Sequence, residues 1–413
     1  MKTNQKSVTA GVLAGVLLAP VPALAVDRDA PTDVDAIKAQ LEELQSQLVE
    51  LEDRQAERDA EESTDGIRFG GAVRLTYAWT DWDDQQKDRG GDFDLEHVGI
   101  NMDGSIGDVI LSAQWRRYND FQAIRYAWVG YEFTDRTHME LGITQVPFGI
   151  LPFSSHSFWL GGTYYVGYED DYDAGIKLEH RPNDDWTFHA AFFKNSEYTS
   201  GRSERYSFDL VTDGDDDQQN LETNQVNLRG ERHLVTSDDF RVDLGLSLQG
   251  GQMYNRITER NGSRFAGAVH ADAYYRDWNF QLQGVRYQYN PENPDGVSSS
   301  FVQKGAFGFP FMMAARANVY TANIARSFDM NLGPVSNVTC YNDFTYIDPT
   351  VKDSSNSIQN VTGCAITAGG VLAYVDWIAG RNMWFVNGDG IGLDGDSAGS
   401  WNSRFNFNVG YYF

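Results

Sequence analysis

Four carboxylates within five residues, Glu169, Asp170, Asp171 and Asp173, close a segment that carries no lysine or arginine between Gly142 and Ile176. Upstream of them, over 147–170, stand Phe148, Phe153, Phe158, Trp159, Tyr164, Tyr165 and Tyr168. Clustered acids create a negative potential that low-dielectric walls focus, so along a narrow passage they attract cations. On an open rim they only remain solvated. The rings suit stacking on sugar faces or aromatic acids, or packing against a wall, and packing is the commoner use. An irregular segment so rich in rings is costly in open water, so a larger structure must cover it. Ser154-Ser155-His156-Ser157 sets hydroxyls beside an imidazole, but neighbours in sequence do not make a triad, and no G-x-S-x-G is present. The seven histidines lack metal-ligand spacing. Asp389-Gly390 and Asp394-Gly395-Asp396 resemble a calcium loop only faintly, and Asp213 to Asp217 read as a solvated loop that divalent ions could bridge to lipopolysaccharide. No cofactor and no resident metal are expected, and no enzymatic activity.

The chain begins like an export signal, residues 1–25: Lys2 and Lys6, an apolar run from Val8 to Ala19, then Ala23-Leu24-Ala25. The run is too short for a spanning helix, and Pro20 and Pro22 interrupt it. Residues 26–65 read as a periplasmic linker and helix. Ile37, Leu41, Leu44, Leu48 and Leu51 form an a/d seam, which suits a short coiled coil that trimerises. The formal charge of −26 leaves no basic stripe to meet phosphates, so nucleic acid is excluded as a partner. Later segments do not approach the ~20 apolar residues of a spanning helix, so a membrane protein made from this chain has to be a barrel.

From Ile67 the period is two. Ile67, Phe69, Val73, Leu75, Tyr77 and Trp79 alternate with Arg68, Gly70, Ala72, Arg74, Ala78 and Thr80. Sixteen such segments follow one another: 66–80, 92–103, 107–118, 122–133, 137–146, 171–180, 184–195, 223–233, 239–253, 264–277, 279–290, 312–326, 333–347, 357–368, 370–380 and 400–413. Tight turns such as Arg181-Pro182-Asn183 and Gly369 alternate with long connections such as 147–170, 196–222, 291–311 and 381–399. One face apolar, short turns on one rim and long loops on the other predict an all-β fold, a sixteen-stranded antiparallel transmembrane β-barrel over 66–413. The segment 147–170 is then the third external loop.

On the polar face of such strands, Arg68, Arg74 and Arg116, with Arg276, Arg286 and Arg316 further round, are expected in the lumen. Glu140, Glu179 and Asp272 are placed to pair with them. A basic wall opposite an acidic loop would set a transverse field for solutes. Cys340 and Cys364 are equidistant from a hairpin centre near Lys352, so they should face each other and, in an oxidising envelope, bond.

The last segment puts Phe405, Phe407, Val409, Tyr411 and Phe413 on one face. It resembles the signal read by the barrel insertion machinery. Leu141-Gly142-Ile143-Thr144-Gln145-Val146-Pro147-Phe148-Gly149 resembles the G-Q-x-x-x-P-F-G-type motif of the phosphate-selective porin O/P family of Gram-negative outer-membrane porins. The ending, from Tyr341-Asn342-Asp343 through Val375-Asp376 and Gly380-Arg381-Asn382 to Gly410-Tyr411-Tyr412-Phe413, is similar to that group as well. The resemblance implies a homotrimeric passive channel among outer-membrane lipid and lipopolysaccharide, passing small hydrophilic solutes, with its third loop folded inward as the constriction. Phosphate-selective members crowd Arg and Lys there. With none between Gly142 and Ile176, this chain is expected to favour cations or neutral solutes. The alternatives are an anion-selective pore working through the lumen arginines, an outer-membrane enzyme, or a plugged ligand-binding barrel.

Overall fold

The computed structural model describes residues 66–413, apart from 215, 216 and 238. The expected export signal and coiled coil lie outside the described residues. The first strands are β1 (Gly66–Thr80), β2 (Asp92–Ile106), β3 (Val109–Arg117), β4 (Gln122–Thr134), β5 (Thr137–Gln145), β6 (Tyr172–Asn183) and β7 (Trp186–Ser196). After the short β8 (Asp209–Leu210) come β9 (Asn220–Ser237), β10 (Phe240–Asn255), β11 (Asn261–Tyr275) and β12 (Trp278–Asn290). A hairpin of β13 (Phe301–Ala306) and β14 (Phe309–Ala314) precedes β15 (Arg316–Leu332), β16 (Val335–Pro349), β17 (Ser357–Ala368), β18 (Val371–Arg381) and β19 (Trp401–Tyr412).

Sixteen of these strands close into one antiparallel barrel, as the alternation predicts. The seam pairs β1 with β19, from Ala72 opposite Tyr412 to Thr80 opposite Arg404. Beyond it the Gly71 N–H donates to the Phe413 carbonyl at 2.9 Å, and the Phe413 N–H returns a bond at 3.0 Å. No described helix is long and apolar enough to cross a membrane.

The outward face is apolar: Phe69, Ile100, Val129, Leu141, Leu228, Leu246, Val269 and Leu282 are all exposed. Rings cluster near the strand ends, with Trp79 stacked on Trp377 at 6.3 Å and Tyr320 on Tyr346 at 6.4 Å. One patch differs. Midway along β16 and β17, Asn342 faces outward beside Asn360 and Thr362. The two amides exchange bonds of 3.0 Å, and Asn342 also donates to Thr362 Oγ1 at 2.7 Å. Next to this patch Cys340 and Cys364 are register partners and form a disulfide.

The remaining three strands form a separate sheet in the order β14-β13-β8. Sequence reading leaves 291–311 as an irregular loop and starts the twelfth segment at 312. Instead Met312–Ala314 belongs to β14, and the barrel strand begins at Arg316. The reason is burial on both faces. All of Val302 to Ala306 is buried, so the run shows no two-residue alternation.

Candidate functional site

The third loop, residues 146–171, is pinned at its base by a bond from the Val146 N–H to the Asp171 carbonyl, 2.8 Å. From there it crosses to the opposite inner wall. Gly149 makes the first turn with φ +67°, a conformation that suits glycine. A Cβ there would come within 2.3 Å of Gln283 Oε1. The Gly149 N–H donates to Ser247 Oγ at 3.0 Å, and its carbonyl accepts from Arg229 Nε at 2.8 Å. The glycine of the Pro147-Phe148-Gly149 motif therefore lets the loop reach β9 and β10.

Past that turn the wall meets the loop backbone with amides and hydroxyls. The Ile150 N–H donates to Gln283 Oε1 at 2.8 Å. Asn323 Nδ2 donates to the Ser154 carbonyl at 2.6 Å, and Gln359 Nε2 to the Leu160 carbonyl at 2.9 Å. The Gly162 N–H donates to Thr345 Oγ1 at 3.0 Å. A buried irregular segment needs such partners for its peptide groups. At the centre Asp343 accepts from the N–H groups of His156 and Ser157, both at 2.8 Å, while His156 Nδ1 lies 2.7 Å from its other oxygen. His156 Nε2 faces Asn279 Oδ1 at 2.6 Å. Burial pulls the imidazole pKa down, but the charge and bonds of Asp343 outweigh that and raise it above its ordinary value. The serines serve another residue: Ser154 Oγ and Ser155 Oγ donate to Glu169, at 2.8 and 2.5 Å. Burial pushes the Glu169 carboxyl up to about 7 despite these hydroxyls.

The rings pack. Phe148 lies against Tyr168 at 5.1 Å, and Phe158 sits between Tyr374 and the Arg74 guanidinium, at 5.7 and 4.8 Å. Trp159 lies under Arg404 at 4.1 Å, and Tyr165 stacks on Phe385. Phe153 is buried near Arg125 at 5.9 Å.

The four acids do not form an exposed rim. Glu169, Asp170, Asp171 and Asp173 are 4, 3, 8 and 1% exposed. Cations do reach them, although the loop contains none. Arg125 NH2 of β4 lies 2.8 Å from Asp170, which also accepts from the Tyr206 hydroxyl at 2.5 Å. Arg125 stands on β4, two strands across the sheet from the start of β6, so pairing through β5 brings it to residue 170 and local spacing gives no signal of it.

Arg68, Arg74 and Arg116 do stand at inward positions on β1 and β3. Glu140 and Glu179 face inward too and are paired, the first with Lys177 at 2.8 Å, the second with Arg181 and His189 at 2.6 and 3.1 Å. Asp272 is inward on β11 and accepts from Tyr274 and Asn279, at 2.8 and 2.7 Å. Three arginines must be reassigned. Arg286 and Arg316 point outward from β12 and β15, because Gln281, Gln283, Ala317 and Val319 hold the inward parity. Arg276 lies in the turn after β11, 3.3 Å from Asp239, and not in the lumen.

No family model matches the sequence, and no curated protein does. Solved structures share the architecture. An anion-selective porin from Comamonas acidovorans superposes with TM-score 0.53 at 12% identity, over 85% of this chain and 100% of that one. The outer-membrane channel DcaP of Acinetobacter baumannii gives 0.52 at 11%, over 85% and 98%. OmpT of Vibrio cholerae, an outer-membrane protein, gives 0.51 at 11%, over 84% and 97%. What is shared is the fold. This chain has the barrel of outer-membrane porins, with loops and lining of its own.

Proposed function

We propose that the protein is an outer-membrane porin of a Gram-negative bacterium, passing small hydrophilic solutes by passive diffusion. The observation that carries this reading is a long loop laid inside a closed barrel whose outward face is apolar. The loop 147–170 acts as the constriction in this reading, with its rings as filler and its acids as internal ties. Selectivity runs toward cations or neutral solutes and away from phosphate, because the loop brings no lysine or arginine into the bore. The protein works as a homotrimer among lipid and lipopolysaccharide, with residues 26–65 associating in the periplasm.

Recording in planar bilayers tests this. Conductance appearing in triplets, with a cation-signed reversal potential in a salt gradient, is expected. Anion preference would reverse the selectivity reading. A protein that never conducts favours the second reading, a plugged ligand-binding barrel. That reading has its own support: the β14-β13-β8 sheet is packed on the third loop, with Lys304 Nζ donating to the Val166 carbonyl at 3.2 Å and Tyr164 edge-on to Phe208 at 5.0 Å.

A further inference from the structure

Where the third loop rejoins β6, a cluster of charges is sealed from solvent. Arg205 NH1 lies 3.3 Å from Glu197 and 3.0 Å from Asp209. Arg264 pairs with Glu222, and Lys304 Nζ, 4.0 Å from Glu222, gives a 2.9 Å bond to the Phe208 carbonyl. Asp171 and Asp173 complete the group, without any ion pair of their own among the described residues. Every member is less than a tenth exposed. Five carboxylates face three cations, so the cluster as ionised carries two uncompensated negative charges. Charge buried in that way is destabilising unless something neutralises it.

The unmet demand is localised. Oδ1 of Asp171 and Oδ1 of Asp173 are both buried and have no hydrogen-bond donor. Among the described residues the side-chain donor to Asp173 is Gln225 Nε2, 3.1 Å from its Oδ2. One oxygen from each of Asp171, Asp173 and Asp209 falls in a group whose members all lie within 4.8 Å of one another. Carboxylate oxygens suit a hard cation, and in a site sealed from water calcium is favoured over magnesium, which dehydrates reluctantly and keeps several of its waters. We infer that Asp171, Asp173 and Asp209 together hold one hard divalent cation, calcium in preference to magnesium. Such an ion removes the excess charge and ties the end of the third loop to β8, and through β8 to the inner sheet. The site stands whether or not the barrel conducts.

The test uses the full chain, disulfide intact, folded in detergent and freed of metal with EDTA. Titration calorimetry with CaCl2 is expected to give one tight site per chain, with MgCl2 weaker, and Ca2+ is expected to raise the melting temperature. Asp171→Asn/Asp173→Asn removes both excess charges without changing shape. It should weaken Ca2+ binding by roughly tenfold or more and melt at the same temperature in EDTA and in Ca2+. Asp389→Asn, in an outer loop, should bind as the wild type does. If the double variant fails to fold, the wild-type melts in EDTA and Ca2+ carry the test alone. Wild-type melts indifferent to Ca2+, with protonated carboxyls seen in the infrared, would assign the excess charge to protons and overturn the inference. So would undiminished Ca2+ binding by a folded double variant.

Discussion

The two sides of the inner wall are built from different residues. On β1 to β9 the inward positions carry Arg68, Arg74, Arg116, Glu140, Lys177, Glu179, Arg229 and Glu231. Across the facing strands, from Asn279 to Tyr289, Ala317 to Ser327, Asn337 to Ile347 and Ser357 to Thr367, Asp343 is the one charged inward side chain among the described residues. The third loop lies on this second side. Uncharged amides and hydroxyls can serve either a peptide N–H or a carbonyl, so they suit a wall that must receive an irregular backbone. A charged wall would hold the same loop only at the few points where a counter-charge met it. The charged side pairs largely within itself, as Glu140 with Lys177 and Arg229 with Glu231 show, and meets the loop at two points, Arg229 on the Gly149 carbonyl and Arg125 on Asp170.

If that division is right, the lone acid should matter most. Asp343→Ala strands two N–H groups and an imidazole, all buried, and should cost ~3–5 kcal/mol in denaturant unfolding. It should also make the chain near His156 an early site of proteolysis. A loss under ~1 kcal/mol would mean the amides hold the loop without it.

The pH dependence should be next in size. The pKa of His156 is raised in the folded state, so its contribution is complete below the unfolded value of ~6.5 and fades as pH rises through the folded value. Asp343 faces it directly, and Asp272 adds a second negative charge nearby. Amide exchange in residues 154–157 should therefore be slow at pH 6 and, corrected for intrinsic rate, faster in mild alkali. Asp343→Asn should flatten the difference. An unchanged slope in that variant would point to another titrating group.

Single amides should count for less. Gln283→Ala and Gln359→Ala should each lose ~1 kcal/mol, and nearly add in combination because they bond separate parts of the loop. Strong coupling would show that the loop docks as one rigid piece. Last comes the charged side near its rim. Arg181→Ala breaks a pair whose arginine is 61% exposed, and unfolding should shift by no more than ~0.5 kcal/mol. A larger loss would mean that the charged side is a structural network in its own right.

Much of this architecture could be read from the chain, and the failures share a cause. Outward residues meet one uniform environment, so Phe69, Val73 and Leu75 announce β1 unaided. Inward residues meet other parts of the same protein, which single-strand periodicity does not represent. Ala317 and Val319 look like an outer face because they are apolar, yet they point inward and are fully buried. The charge of Arg286 suggests the lumen, although Leu282 and Phe280, two and three alternations earlier, already fix the outward parity. The inner hairpin did leave a mark: Phe307-Gly308, with φ of 55° and 81°, is a two-residue turn between two short runs. The loop's position was legible from the count of connections. Its partners were not, because Asp343 lies nearly two hundred residues downstream and looks like any other strand acid.

Asn342, Asn360 and Thr362 bear on how this sequence can drift. Facing outward at mid-strand, they bond to one another, with only a long 3.5 Å contact from Asn360 Nδ2 to the Asp343 carbonyl besides, and a hydrocarbon surround would supply no replacement. Replacing one leaves the others short of a bond, so each single step is worse than either end state. The three positions should change together, in lineages that carry all three or none.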